Sequence, residues 1–213
     1  MQMTDFRLYL ITDRHQTGGK ALLDVARLAL EGGVRSFQLR EKDLSGAALY
    51  RLASELRLLT SEFNARLIIN DRPDIALAVE ADGVHIGVKS MPVSAIRRLL
   101  GKDKIIGYSA HAISEALAAQ HDGADFVTFG PVYVTPSKAE YGAPCGVKKL
   151  ADAVSALAIP VVALGGISEA GIPEVMTTGI QGVAVISAVM AAVDPCAAAS
   201  SLLKKMEEHV RYS

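Results

Sequence analysis

The 213-residue chain has no tryptophan, two cysteines and only 5% aromatic residues. Cys145 and Cys196 stand far apart, with no Cys-x-x-Cys or Cys/His pairing, which argues against a disulfide framework or a zinc site and leaves both as small packing residues. An excess of one charge is also missing: 22 Lys and Arg meet 23 Asp and Glu, for a net charge of −1. Nucleic-acid binding rests on a basic stripe, so no nucleic-acid partner is expected and any phosphate site has to be local. No apolar run approaches the ~18 residues of a membrane span, and the amino terminus mixes polar with charged residues. Neither a membrane partner nor a signal-peptide core is therefore expected, and the expected location is cytoplasmic.

What is present is an alternation. Short β-branched or apolar runs at 7–12, 36–40, 66–70, 83–87, 105–109, 126–130, 160–164 and 182–187 read as eight strands. Amphipathic stretches at 20–31, 44–63, 92–100, 114–121, 147–157, 169–178 and 195–210, with a short one at 74–79, read as helices. Gly32-Gly33, Gly101, Gly123 and Gly179 sit where left-handed helix ends belong. Eight βα units predict a (β/α)8 TIM barrel, with a doubly wound open sheet as the competitor. No Ser/Gly/Pro-rich linker divides the chain, so residues 1–213 read as a single barrel domain, long enough to bury about 70% of its unfolded surface. Helix faces and subunit interfaces carry the same apolar signature, so a homo-oligomer stays open.

Barrel chemistry sits at the C-terminal strand ends, and polar residues cluster there. After strand two, alternation puts Gln38, Arg40 and Lys42 on one face, aimed at the mouth. Arg40 is costly in that setting unless it meets an anion, either a phosphate ligand or a carboxylate such as Asp71 or Glu41. Strand three ends Asn70-Asp71-Arg72-Pro73, where Asp71 is either a helix cap or a metal ligand. His85 lies inside strand four, as compatible with a buried, hydrogen-bonded role as with catalysis. Strand five offers Ser109 as a substrate contact, and His111, just past it, is the better acid/base candidate because imidazole titrates near neutral pH. Thr135, Ser137 and Lys138 sit on a loop bounded by Gly and Pro that suits phosphate oxygens. Gly165-Gly166 after strand seven, and a helix start near Ile186 and Ser187 after strand eight, match the phosphate cradle common to such barrels.

Taken together, the segments Gln38-Leu39-Arg40-Glu41-Lys42, Ile69-Asn70-Asp71-Arg72, Ala81 through Gly87, Gly130-Pro131-Val132-Tyr133, Thr135 through Lys138 and Leu164-Gly165-Gly166-Ile167 resemble the thiamine phosphate synthases and the TenI-like thiazole tautomerases. For a synthase the resemblance implies that hydroxymethylpyrimidine diphosphate loses pyrophosphate and that thiazole phosphate captures the pyrimidine methylene. It also implies that Gln38, Arg40, Lys42, Asn70 and Lys138 hold pyrophosphate, that Thr135 and Ser137 contact phosphate groups, and that Asp71 binds Mg²⁺. The backbones of Gly166, Ile186 and Ser187 are expected to receive the thiazole phosphate. One departure stands out. Synthases carry Gly-Gln-x-Asp after strand four, the Asp being a second metal ligand, whereas this chain has Gly87-Val88-Lys89-Ser90. That departure resembles the TenI-like branch, which aromatises a thiazole phosphate carboxylate without metal and would use His111 to move the proton. A non-catalytic phosphate-ligand sensor on the same barrel is the third reading.

Overall fold

A computed structural model of the chain describes residues 5–135 and 143–212. Eight parallel strands, β1 Leu8–Ile11, β2 Ser36–Leu39, β3 Arg66–Asn70, β4 Gly83–Gly87, β5 Ile105–Ala110, β6 Phe126–Phe129, β7 Val161–Leu164 and β8 Gly182–Val185, follow one another in order around a closed barrel. Closure comes from β1 pairing with β8, Tyr9 opposite Ala184, which removes the open-sheet alternative.

The helices are α1 Leu22–Glu31, α2 Gly46–Glu62, α3 Pro73–Ala78, α4 Val93–Leu100, α5 Ile113–His121, α6 Gly146–Ala156, α7 Ile172–Met176, α8 Ser187–Met190 and α9 Pro195–Tyr212. Helix α1 illustrates their logic: Leu22, Val25, Ala26, Ala29 and Leu30 form its buried stripe, and Gly33 follows at φ 102°. The left-handed ends expected at Gly101, Gly123 and Gly179 are present too, at φ 74°, 101° and 80°. Departures are small. The stretch 169–178 divides into a 3-10 turn, Glu169–Gly171, and the short α7. A further 3-10 turn lies at Arg14–Gln16. Among the described residues no helix is long and apolar enough to cross a membrane.

Period-two alternation sorts the strand residues into two cores. Outward residues such as Leu10, Phe37, Ile69, Val84 and Val127 join the helix faces. Inward residues Tyr9, Ile68, Phe126, Val162 and Ala184, with Phe6, fill the barrel. Glycine makes room for the inner aromatics. A Cβ on Gly107 would fall on the Phe126 ring and lie 2.5 Å from His85 Nδ1. Gly107→Ala is therefore expected to cost about 1–3 kcal/mol by overpacking, read as a lower denaturant midpoint with an unchanged slope.

Below the barrel's N-terminal rim, Asp82 accepts from Leu67 N–H at 2.8 Å, Arg66 at 2.6 Å and Arg57 at 2.5 Å. Burial pushes its carboxyl up, but these three donors together outweigh burial and hold it below the ordinary range. A lowered folded pKa means stability present above the ordinary carboxylate value near 3.9 and lost as pH falls toward the folded one. Relative to wild type, Asp82→Asn is expected to be destabilised at pH 6 and much less so near pH 2, as measured by urea unfolding at both values.

Candidate active site

The tips of β2 to β5 surround a cleft of about 530 Å³ lined by Arg40, Lys42, Asn70, Asp71, Lys89, Ser90, Ser109 and His111. Among the described residues Arg40, Lys42 and Lys89 make no ion pair. The carboxylates weighed as partners of Arg40 are engaged otherwise. Glu41 is 5% exposed and accepts from Thr12 Oγ1 at 2.7 Å, Arg14 N–H at 3.2 Å and Arg14 Nη1 at 3.2 Å. Arg14 also forks onto Asp43, at 2.5 Å to each oxygen, and this bidentate pair holds the Asp43 carboxyl well below the usual range. Thr12 Oγ1 in turn takes the Arg40 N–H at 3.0 Å. With Glu41 turned away and paired with Arg14, the alternate residues Arg40 and Lys42 line the mouth. Sequence reasoning missed this brace, although Glu41 lies on the face opposite Arg40 and Lys42 by simple alternation.

Gln38 shares the Arg40 face but sits deeper, 2% exposed, with Nε2 donating to Tyr9 Oη at 3.0 Å. It does not line the cleft in which a pyrophosphate contact was expected. Two residues along a strand are about 6.6 Å, enough to move a side chain from mouth to interior.

Asp71 is not a cap. Arg72 holds the N-cap position of α3 without a side-chain cap bond, and Pro73 opens the helix. Asp71 adopts φ 57°, a left-handed conformation Asp tolerates, and its N–H reaches the His85 carbonyl at 3.0 Å. Its carboxylate accepts from the Ser90 hydroxyl on one oxygen and from Asn70 Nδ2, at 2.9 Å, on the other. Ser90 Oγ itself accepts the Gly87 N–H at 2.8 Å. Ser90, the residue in place of the second acid, therefore touches the first. No cluster of three His, Cys, Asp or Glu able to hold a metal occurs among the described residues. One carboxylate beside a hydroxyl still fits Mg²⁺, a hard ion that keeps several waters and takes phosphate oxygens to complete its shell.

His111 Nδ1 donates to the Gly130 carbonyl at 2.6 Å, which makes Nε2 the acceptor nitrogen of the neutral ring. Glu115 accepts its backbone N–H at 2.8 Å.

A second cleft, about 410 Å³, lies over β7 and β8 and is lined by Thr135, Gly165, Gly166, Ile186 and Ser187. Gly165 and Gly166 take φ 99° and 68°. A Cβ on Gly166 would lie 2.7 Å from Tyr133 Cβ, so the glycine pair also lets the β6 tip close down, with Tyr133 N–H on the Gly165 carbonyl at 3.0 Å. Tyr133 donates its hydroxyl to Glu174 of α7. Burial and that carboxylate push the phenol up to about 12. Ser137 and Lys138 lie outside the described residues.

Fold and site together define a (β/α)8-barrel enzyme, its polar groups gathered at the C-terminal strand tips. A family model described as thiamine monophosphate synthase matches residues 8–189. A Geobacter sulfurreducens protein is 55% identical over 211 residues, 99% of each chain, and a thiamine-phosphate synthase of Desulfitobacterium hafniense is 45% identical over 93% of this chain and 96% of its own. The solved structure of a thiamine phosphate pyrophosphorylase from Pyrococcus furiosus superposes with a TM-score of 0.90 at 39% identity, covering 97% of this chain and 98% of that one. The chain belongs to the thiamine monophosphate synthase family.

Proposed function

We propose that this chain is the transferase of thiamine biosynthesis that joins hydroxymethylpyrimidine diphosphate to thiazole phosphate, releasing pyrophosphate. The observation that carries the reading is the first cleft, where Arg40, Lys42 and Lys89 face a single carboxylate, Asp71. In the reaction the bond between the pyrimidine methylene carbon and the diphosphate oxygen breaks, and its electron pair leaves with pyrophosphate. The thiazole nitrogen then gives its lone pair to the methylene carbon, closing the C–N bond of thiamine phosphate. Negative charge grows on the leaving oxygen, and cations placed beforehand in the cleft stabilise that growth. At an effective dielectric near 20, each cation about 4 Å away offers on the order of 4 kcal/mol of gross attraction.

Arg40 and Lys42 are assigned to the diphosphate, with Asn70 donating beside them; by resemblance Lys138 joins them and Ser137 contacts a phosphate group. Thr135 and the backbones of Gly166, Ile186 and Ser187 are assigned to the thiazole phosphate. Mg²⁺, held by Asp71 with Ser90 beside it, would supply further positive charge to the diphosphate. Incubating the chain with both substrates, with Mg²⁺ or with chelator, tests the reading: pyrophosphate release with thiamine phosphate formation is expected, and its absence rejects it. Tight binding without turnover would indicate the sensor.

One observation favours a second reading, aromatisation of a thiazole phosphate carboxylate: His111 lines the first cleft with its ring orientation fixed by the Nδ1 hydrogen bond to the Gly130 carbonyl, and imidazole is a common proton-transfer group. His111→Ala is expected to abolish any such aromatisation while inorganic phosphate binding persists. Equal loss of both assigns His111 a structural role through Gly130.

A further inference from the structure

A hydrogen-bonded chain crosses the barrel interior beneath the first cleft, contributed by five different strands. Gln38 Nε2 donates to Tyr9 Oη at 3.0 Å, and Tyr9 is fully buried. A phenol has one proton. With an amide donor already on its oxygen, that proton goes to the other neighbour, His85 Nδ1 at 3.3 Å. Nδ1 is then an acceptor, so the neutral ring carries its proton on Nε2, which lies 2.9 Å from Ser109 Oγ. Thr128 is 1% exposed, and its hydroxyl has Ser109 Oγ at 3.3 Å and His85 Nε2 at 3.4 Å as neighbours. Since Nε2 is a donor, the Thr128 proton turns to Ser109. Ser109 Oγ thus receives two hydrogen bonds, filling both lone pairs, while Ser109 itself lines the cleft.

We propose that Tyr9, His85 and Thr128 are positioning residues that fix Ser109 as an obligate hydrogen-bond donor into the first cleft. The ligand atom it meets must offer a lone pair, as an unprotonated aromatic ring nitrogen or a phosphoryl oxygen does. An N–H in that place would set donor against donor and leave both unpaired, the kind of mismatch that dominates discrimination between close analogues. The arrangement also explains why two ordinary packing positions of the inner core carry Tyr9 and Thr128 rather than aliphatic residues. No buried side-chain nitrogen or oxygen among the described residues lacks a hydrogen-bond partner, and the single direction of donation from Gln38 to Ser109 satisfies each member of this chain.

The identity of the ligand rests on the function proposed above, but the direction of the protons does not, and the experiment separates the two. In ligand-free protein with ¹⁵N-labelled histidine, long-range ¹H–¹⁵N correlation is expected to show His85, assigned by the missing signal of His85→Gln, with its proton on Nε2. A proton on Nδ1 overturns the proposal. Tyr9→Phe keeps the ring and removes the acceptor bond to Nδ1, so the Nε2-only signature should give way to a mixture; an unchanged spectrum also overturns it. Thr128→Val, nearly isosteric, provides a second variant should Tyr9→Phe fold poorly. Calorimetric titration then reads the donor itself. Ser109→Ala is expected to weaken hydroxymethylpyrimidine diphosphate binding about 3- to 10-fold, the loss of one neutral hydrogen bond. If pyrophosphate alone weakens equally, the acceptor is a phosphoryl oxygen. If only the pyrimidine compound weakens, it is a ring nitrogen, and if neither weakens, the donor role is wrong. A wild-type chain that forms no thiamine phosphate yet carries His85 protonated on Nε2 would sink the functional reading and leave this one standing.

Discussion

Arg40→Ala is expected to lower pyrophosphate release by at least about 100-fold, with the protein still folded. Removing one preorganised donor from a developing negative charge costs about 10²- to 10³-fold in turnover, and Arg40 offers a forked, permanently charged donor. The structural environment sharpens the expectation. Arg7, Arg14, Arg57, Arg66, Arg72 and Arg97 all pair with carboxylates. Arg40 pairs with none among the described residues, although Glu41 is its chain neighbour and Asp71 lines the same cleft. Among the described residues its charge is not consumed by an ion pair, and its loss should act on the reaction and spare stability. Arg40→Lys keeps the charge but not the fork, so an intermediate loss is expected. Lys138→Ala carries the same expectation by resemblance. Single-turnover release of pyrophosphate, measured beside the unfolding midpoint, checks the series. A loss below about threefold for Arg40→Ala in a folded protein would falsify the assignment.

Features written locally were legible before any coordinates. Alternation within strands and the 3.6-residue stripe between them specify the barrel, because each unit's burial pattern is set by its own residues. Gly33, Gly101, Gly123 and Gly179 mark helix ends because a residue without Cβ takes a positive-φ backbone at the least cost. The cleft over β2 to β5 was legible for the same reason: Arg40, Lys42, Asn70, Asp71 and His111 all stand at strand tips, and the barrel brings strand tips together. Features made by contacts distant in sequence were not. The Glu41 brace depends on Arg14, 27 residues earlier, reaching over from the turn after β1. The depth of Gln38 depends on the stagger of neighbouring strands, which pairs it with Ile11 and Ile68 rather than with a mouth residue. The path from Tyr9 through His85 to Ser109 draws on β1, β4 and β5, and no single segment hints at it. Gly165-Gly166 was legible as a glycine turn after strand seven, but not as the place where Tyr133 closes against β7.

Ser90→Asp is expected to tighten Mg²⁺ binding about 10- to 100-fold when pyrophosphate is present, and to destabilise the metal-free protein. The magnitude is the one typically lost when a supporting contact of a metal site is removed, taken here in reverse. The Ser90 hydroxyl already rests on the Asp71 carboxylate, so a carboxylate in its place would stand beside Asp71, where two acids can share a hard cation. Without the cation the same two acids repel. One of them should then take up a proton more readily, and the apo stability of the variant should recover as pH falls. The serine relieves that repulsion and satisfies Asp71 by donation, which leaves more of the charge balance to Arg40, Lys42 and Lys89. Calorimetric titration of Mg²⁺ with and without pyrophosphate, together with urea midpoints of both apo proteins, measures the two halves of this expectation. Unchanged Mg²⁺ affinity in the variant would remove Asp71 from the metal's shell and place the burden of the leaving group on the three cations alone.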